Sequence, residues 1–444
     1  MIFLICIIIL FSSTFDPSIF DHHFALCNLP FYFSFEVFEE STGVPQSALK
    51  KCAVFFSKSV ILLSFILLSV IDFCFFSYYN EGEIQNTYPK GILLMVTVAV
   101  IGCGRIANAA HLPPLSKMED VRIKYACDIL PEKAERAKEK FPKIENVITD
   151  YKVALADPEV DAVFVLTPNF THYTVTMDAL RAGKHVMCEK PITVNYPLSV
   201  EMAEEAKKQG KLLNIGVCNR YHASVVRLRE MVERGDFGKV YHVVCSFRSF
   251  RSIPGLGGAF TNKAESGGGV LIDWGIHFLD LILYILGDAK VLNVTADSYC
   301  EMAKDMKSYK YNTMWAEDTK DLEGVNDVDD FISGYVRTDK ASISFNGAWA
   351  QNLDIDEMYV DILGDKGGAR FSYGGGFKFT SGEDLSTVTP EFDIPVMHTE
   401  EDIAFIECVK TGKPDRNHID NILESMKLLD ALYQSAQKKA ELTL

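Results

Sequence analysis

Two glycines and an alanine are spaced as Gly102-Cys103-Gly104-Arg105-Ile106-Ala107, directly after six apolar or β-branched residues, Val96 to Ile101. That spacing suits a dinucleotide. The first glycine permits a tight turn, the second lets backbone approach a pyrophosphate, and a small third residue lets the next helix pack close to the strand. Free N–H groups and the positive dipole end at the helix start then face the phosphates. Val121–Cys127 reads as the next strand, and Asp128 ends it. A carboxylate there accepts from both ribose hydroxyls and repels a 2′-phosphate, so the expected cofactor is NAD, with NADP the lesser alternative. Gly102, Gly104, Arg105, Ile106 and Asp128 are the expected cofactor contacts of this first segment.

Two more clusters can do chemistry. Cys188-Glu189-Lys190-Pro191 ends another apolar strand and puts a lysine where a bound nucleotide can use one. The bland alternative is a surface lysine after a strand. Further on, Asp273, His277 and Asp280 lie inside the apolar run Val270–Leu286, behind Gly267-Gly268-Gly269. Asp273 and His277 are four apart, hence on one helix face. Polar groups on such a helix need partners, so a satisfied buried pair competes with a catalytic one.

The elements that position these residues alternate strand and helix from Val96 to about Val217. Expected helices are Ile106–Lys117, Pro131–Phe141, one ending at Ala182, and Pro197–Gln209. Expected strands include Asp161–Leu166 and Leu212–Val217. That grammar implies a doubly wound parallel sheet, whose ligands sit beyond the carboxyl ends of the strands. After Asn219 the pattern changes to long strands around the apolar helix, closed by helices at Thr399–Lys410 and Ile419–Lys438. An α/β domain over 95–218 is thus expected to precede an α+β domain over 219–444 with a largely antiparallel sheet.

Residues 1–94 differ. They hold 15 of the 30 phenylalanines and only 12 charged residues. The run 60–76 approaches membrane-spanning length, with Asp72 near its end. This segment is expected to be an atypical extension, either upstream sequence translated in error before Met95 or, as the lesser reading, a membrane anchor. The net charge of −16 argues against nucleic-acid binding. Eleven scattered cysteines form no C-x-x-C pair, so no metal site and no disulfide framework is signalled, and a reducing, cytoplasmic location is expected.

Taken together and in order, G-C-G-R-I-A, Asp128, E-K-P at 189–191 and G-G-G-V-L-I-D-W-G-I-H at 267–277 resemble the glucose–fructose oxidoreductase/inositol dehydrogenase/MocA family. The resemblance spans about 95–440 and implies a Rossmann domain followed by a substrate and oligomerisation domain. It implies Lys190, Asp273 and His277 as the catalytic trio, with Glu189 supporting the nicotinamide ribose. Thr167, Pro168, Asn169, His172 and Arg220 match positions that line the cofactor. It further implies homodimers or homotetramers and a sugar or polyol substrate. The expected reaction moves hydride between a CH–OH carbon and NAD. The hydroxyl proton needs a base near neutral pH, which His277 suits by its ordinary pKa, while Lys190 stabilises the alkoxide and helps relay the proton. Which of the two takes the proton stays open. Arg248 and Arg251 either favour an anionic substrate group or are solvated loop charges, and Tyr309, Tyr311 and Trp315 are candidate sugar-stacking rings. The alternatives are an enzyme that retains NAD and uses transient oxidation for elimination or glycoside cleavage, and a non-catalytic NAD-binding module.

Overall fold

Every residue of Val96–Ile101 (β1) is buried, which requires cover on both faces of the strand. The computed structural model describes residues 95–316 and 320–444. The features expected in 1–94, including the apolar run 60–76, lie outside the described residues. β1 sits inside a six-stranded sheet ordered β3-β2-β1-β4-β5-β6. Its other strands are Val121–Cys127 (β2), Asn146–Ile148 (β3), Ala162–Val165 (β4), His185–Glu189 (β5) and Leu213–Gly216 (β6). All five pairings are parallel. The strand order reverses between β1 and β4, which is where ligands of such sheets bind.

Helices cover this sheet at Leu112–Lys117 (α1), Pro131–Lys140 (α2), Tyr151–Ala156 (α3), Asn169–Arg181 (α4) and Tyr196–Gln209 (α5). Pro131 occupies the first helical position, where its missing N–H costs nothing. Gly210, at φ 62°, ends α5 in the left-handed conformation. The first helix departs from the expected unbroken Ile106–Lys117. It opens as a π turn, Ala107–His111, closed by the Leu112 N–H on the Ala107 carbonyl. Pro113 and Pro114 follow at once and have no N–H to donate, so regular α hydrogen bonds cannot form across this junction. The turn places His111 inside the molecule with no exposure.

The second sheet has nine strands in the order β14-β13-β12-β11-β7-β10-β9-β8-β15. In chain order this half comprises Ala223–Arg234 (α6), Val240–Arg248 (β7), Lys263–Ser266 (α7), a π turn at Leu271–Gly275, Ile276–Ile285 (α8), Val291–Tyr299 (β8) and Phe331–Thr338 (β9). Ser342–Ala348 (β10), Glu357–Gly364 (β11), Gly367–Ser372 (β12), Phe377–Ser381 (β13), Thr387–Val388 (β14), Met397–Thr411 (α9), Leu423–Lys438 (α10) and Leu442–Thr443 (β15) follow. Only β7 and β10 pair in parallel. Strands β12 to β15 were not expected; β14 and β15 are two residues each, too short to write an alternating pattern.

Within α8 every residue is buried except His277. Each buried Leu, Ile or Phe there contributes about 1.5–3 kcal/mol by leaving water. The apolar stretch Lys263–Ile285 is long enough to cross a membrane, yet 83% of its most apolar window is buried inside this fold. Phe278 stacks on Phe247 at 5.1 Å and on Tyr373 at 4.4 Å, fixing the rotation of α8 against the sheet. A Cβ on Gly347 would come within 1.9 Å of the Phe247 ring, so that position has to be glycine for the stack to seat. The outcome is a helix that turns one polar face outward at its start, where it meets the ends of β5 and β6.

Candidate active site

β5 ends at Glu189, and Lys190 leaves the sheet toward the start of the apolar helix. The Lys190 Nζ donates to Asp273 Oδ1 at 2.9 Å and to the Asp273 carbonyl at 3.1 Å. Burial pulls the Lys190 ammonium down, but Asp273 and Glu189 hold it above its ordinary pKa. His277 lies one helical turn on and accepts neighbours differently. Its Nδ1 is 3.0 Å from Asn219 Nδ2, and the same amide nitrogen is 3.2 Å from the Tyr373 hydroxyl. Burial, then the positive Lys190 beside it, pushes the His277 imidazole well below its ordinary 6.5. The expected trio is therefore brought together, with a charged lysine and a neutral histidine. Asp273 pairs with the lysine rather than with the imidazole.

The helix that carries Asp273 and His277 is anchored by a residue the sequence did not single out. Asp329 accepts from the Gly269 and Leu271 N–H groups at 2.7 and 3.0 Å and from the Tyr433 hydroxyl at 2.9 Å. It caps the free N–H groups at the start of the turn. Burial raises its pKa to about 6 against those donors.

Glu189 departs from its expected role at the nicotinamide ribose: it is 5% exposed and faces inward. Its Oε1 is 3.0 Å from His111 Nε2, its Oε2 accepts from the Lys190 N–H at 2.9 Å, and His111 Nδ1 is 2.8 Å from Asp402 Oδ1. A buried imidazole between two carboxylates is held protonated. Burial lowers the His111 pKa, but Asp402 and Glu189 raise it well above the ordinary value. Burial also pushes the Glu189 carboxyl up, but His111 overcomes it and brings the group to about 2, whereas burial keeps Asp402 near about 6. This Asp402–His111–Glu189 chain joins α9, the π turn and β5 behind Lys190. It was invisible in the sequence, because Asp402 lies 291 residues from His111.

On the cofactor side, Gly102 has φ +94°, and a Cβ there would come within 2.4 Å of the Leu166 carbonyl oxygen. Gly104 is different: a Cβ there would meet nothing within 4 Å. No packing inside the protein requires that glycine, so the open space above it is a cradle fit for a phosphate approaching the backbone. Ala107 is fully buried, as close helix packing demands. Arg105 is exposed and lies over the Trp315 ring at 5.2 Å. Ile106 is half-buried at the head of the turn. Asp128 Oδ2 accepts from Cys103 N–H and Oδ1 from Leu130 N–H, both at 2.9 Å. Those bonds aim the carboxylate alongside the glycine turn. The chain's own residues thus fit the expected dinucleotide.

The remaining expected positions divide. Thr167 accepts from the Thr171 hydroxyl at 2.7 Å, and Asn169 donates from Nδ2 to the Ser266 carbonyl at 2.9 Å, linking the end of β4 to α7. Pro168 sets the entry to α4 with φ −60°. His172 departs from its expected role. It is 1% exposed, and its nitrogens lie 2.8 Å from the Pro191 and Thr167 carbonyls. Both contacts call for N–H donors. Burial lowers its pKa, but Cys188 and the two carbonyls bring it to about 9. It therefore ties two loops together from beneath. Arg220 departs further. Its Nε and Nη2 pair with both Asp280 oxygens at 2.8 Å, and its remaining bonds go to the Arg416 and Asn421 carbonyls. At 2% exposure that guanidinium is an internal clamp between the turn after β6, α8 and the start of α10, with no fork left for a cofactor. Arg248 pairs with Glu357, and Arg251 bonds Asn352 and covers Tyr309, so neither is an open anion site. Tyr309 is buried, while Trp315 is 52% exposed.

Known proteins give this geometry a context. A family model described as an oxidoreductase family with an NAD-binding Rossmann fold matches residues 96–217, and its C-terminal alpha/beta domain matches 229–444. D-glucoside 3-dehydrogenase of Escherichia coli is 32% identical over 350 residues, covering 77% of this chain and 95% of the relative. Myo-inositol 2-dehydrogenase of Thermotoga maritima is 32% identical over 200 residues, 45% of this chain and 57% of that protein. Among solved structures, levoglucosan dehydrogenase in complex with NADH and levoglucosan shares the fold with a TM-score of 0.67 at 20% identity, over 78% of this chain and 99% of that one.

Proposed function

The chain belongs to the glucose–fructose oxidoreductase/inositol dehydrogenase/MocA family of oxidoreductases, and from that premise we propose an NAD-dependent dehydrogenase that interconverts a CH–OH carbon of a sugar or cyclitol with the corresponding ketone. The observation that carries the proposal is the convergence of Lys190, Asp273 and His277 at the carboxyl end of β5. When bound, the nicotinamide supplies the hydride acceptor or donor. The glycine turn and the helix start behind it hold the phosphates, and Asp128 takes the ribose hydroxyls and disfavours a 2′-phosphate. Lys190, held charged by Asp273, stabilises negative charge on the substrate oxygen, and Lys190 or His277 exchanges its proton. Glu189 fixes the Lys190 backbone through Oε2 while His111 and Asp402 hold Glu189.

Sugar hydroxyls want flanking donors and aromatic cover, and Tyr373 and Trp315 are the candidates on hand. The seven described cysteines are all unpaired, which suits work in the reducing cytoplasm. Exposed Tyr241, Leu292 and Tyr299 lie on strands of the nine-stranded sheet, which suits self-association through that sheet into a homodimer or homotetramer. The test is a substrate screen: sugars, inositols and glycosides with NAD⁺, following NADH. Reduction with at least one of them supports the proposal. Silence with every one, together with no detectable NAD binding, sinks it.

A further inference from the structure

His277 has two ring nitrogens, and only one of them meets the protein. Nδ1 is 3.0 Å from Asn219 Nδ2, whereas Nε2 has no hydrogen-bond partner among the described residues. His277 is the one residue of α8 that is not buried, so Nε2 is the nitrogen left for the cleft. The amide of Asn219 has a defined direction. Its Nδ2 also reaches the His277 carbonyl at 3.4 Å and the Tyr373 hydroxyl at 3.2 Å. A carbonyl oxygen only accepts, so the NH₂ side of Asn219, not its oxygen, must face this group. An NH₂ only donates. Nδ1 is therefore the acceptor and carries no proton, and a neutral ring must hold its proton on Nε2.

We propose that Asn219 locks His277 as the Nε2–H tautomer, so that His277 donates a hydrogen bond to the substrate oxygen and Lys190 is the group that exchanges the proton. This rests on the dehydrogenase reading above and decides between the two residues which that reading leaves open. In oxidation, Lys190 as the free amine takes the hydroxyl proton while the C–H hydride leaves for the nicotinamide and the C=O bond forms. In reduction, the Lys190 ammonium returns that proton to the oxygen as the carbonyl carbon receives the hydride. His277 gains and loses no proton in either direction. It holds the oxygen in line and stabilises charge upon it. In this account Asn219 is a positioning residue.

The groups around the pair support the assignment. Lys190 faces Asp273 from the π turn, Glu189 from β5 and Cys218 from the turn after β6. His277 faces Lys190, Glu189 and His398 from α9. Two carboxylates thus hold the lysine charged, while burial and then the lysine keep the imidazole neutral. A cleft presenting two donors is set to receive a carbonyl or alkoxide oxygen at neutral pH. Oxidation must first deprotonate Lys190, so its rate is expected to climb toward alkaline pH without a histidine inflection near about 6.5.

The direct test reads the ring itself. The full chain labelled with ¹⁵N-histidine, without cofactor or substrate, gives two-bond and three-bond correlations for its ten histidines. The His277 signals are assigned by their loss in His277→Gln. A pyridine-like Nδ1 and a pyrrole-like Nε2 are expected. The reverse tautomer, or an imidazolium at neutral pH, overturns the proposal. The second arm is Asn219→Asp. A carboxylate only accepts, so it draws the proton to Nδ1 and bares Nε2 as a base. The expected result is a switched tautomer and a new inflection near neutral pH in the oxidation profile. A lower kcat with an unchanged profile and tautomer would mean that Asn219 only fills space, and would also overturn it. Because the first arm needs no turnover, a failed substrate screen refutes the proposed function without touching the tautomer.

Discussion

Asp128 gives the sharpest test of cofactor choice. Its two oxygens accept from Cys103 and Leu130 N–H groups, so the carboxylate is fixed beside the turn where the adenosine ribose would lie. Two unit charges at about 4 Å interact by about 1 kcal/mol in water and about 4 kcal/mol at a partly shielded protein surface. A 2′-phosphate there meets a half-buried carboxylate, so the repulsion falls between those limits, at about 2–3 kcal/mol. Asp128→Asn removes it and is expected to raise kcat/KM for NADP⁺ by about 30–140-fold, at about 1.4 kcal/mol per factor of ten. The same change weakens a charged hydrogen bond to ribose, so kcat/KM for NAD⁺ is expected to fall about tenfold or more. The amide keeps one acceptor and leaves one backbone N–H without its partner, which costs about 1–3 kcal/mol of stability. Urea unfolding of the variant separates that loss from the cofactor effect. A ratio that stays within about twofold of the parent, in a folded variant, would refute the reasoning, as would a parent enzyme that prefers NADP⁺.

Three further outcomes follow from the internal bonds. Asp329→Ala removes the cap of the helix start and is expected to cost about 1–3 kcal/mol in urea unfolding, with a fall in kcat because Asp273 and His277 ride on that turn. Arg220→Met leaves Asp280 buried and unpaired, for an expected loss of about 3–5 kcal/mol; a loss under 1 kcal/mol would mean that the clamp is not structural. His111→Phe strands two carboxylates, and its effect is pH-dependent. The folded pKa of His111 is raised, so its contribution is complete below about 6.5 and is lost as pH rises through the folded value. The parent's own stability is therefore expected to be greater at pH 6 than at pH 9. Glu189 adds the opposite limb: its pKa is lowered to about 2, so its contribution is present above about 4.5 and fades as pH falls toward that value.

What the sequence disclosed follows the range of each interaction. β1 was legible because burial on both faces writes an unbroken apolar run, and the glycine turn because only glycine tolerates φ +94° against the Leu166 carbonyl. Lys190, Asp273 and His277 were legible as polar residues placed against apolar surroundings. Their partners were not. Asp402 meets His111 across 291 residues, and Asp329 meets Gly269 across 60, with no local pattern to announce either. Arg220 was expected at the cofactor because motif position does not reveal where a long side chain points; only Asp280, 60 residues on, settles that. The expected role of His277 as base drew on its ordinary pKa, and burial, with the lysine beside it, is what displaces that value. The π turns at 107–111 and 271–275 mark the same limit, since both carry apolar patterns that read as plain α-helix.

The central claim is that Lys190 belongs to a hydride-transfer site. Its most direct test is NADH formation by the full chain over a panel of sugars, inositols and glycosides, with Lys190→Ala run beside it and NAD⁺ binding measured for both. The account predicts turnover with at least one substrate and a fall of about 10²-fold or more in kcat for the variant, at nearly unchanged NAD⁺ affinity. Turnover by Lys190→Ala within about twofold of the parent would contradict it.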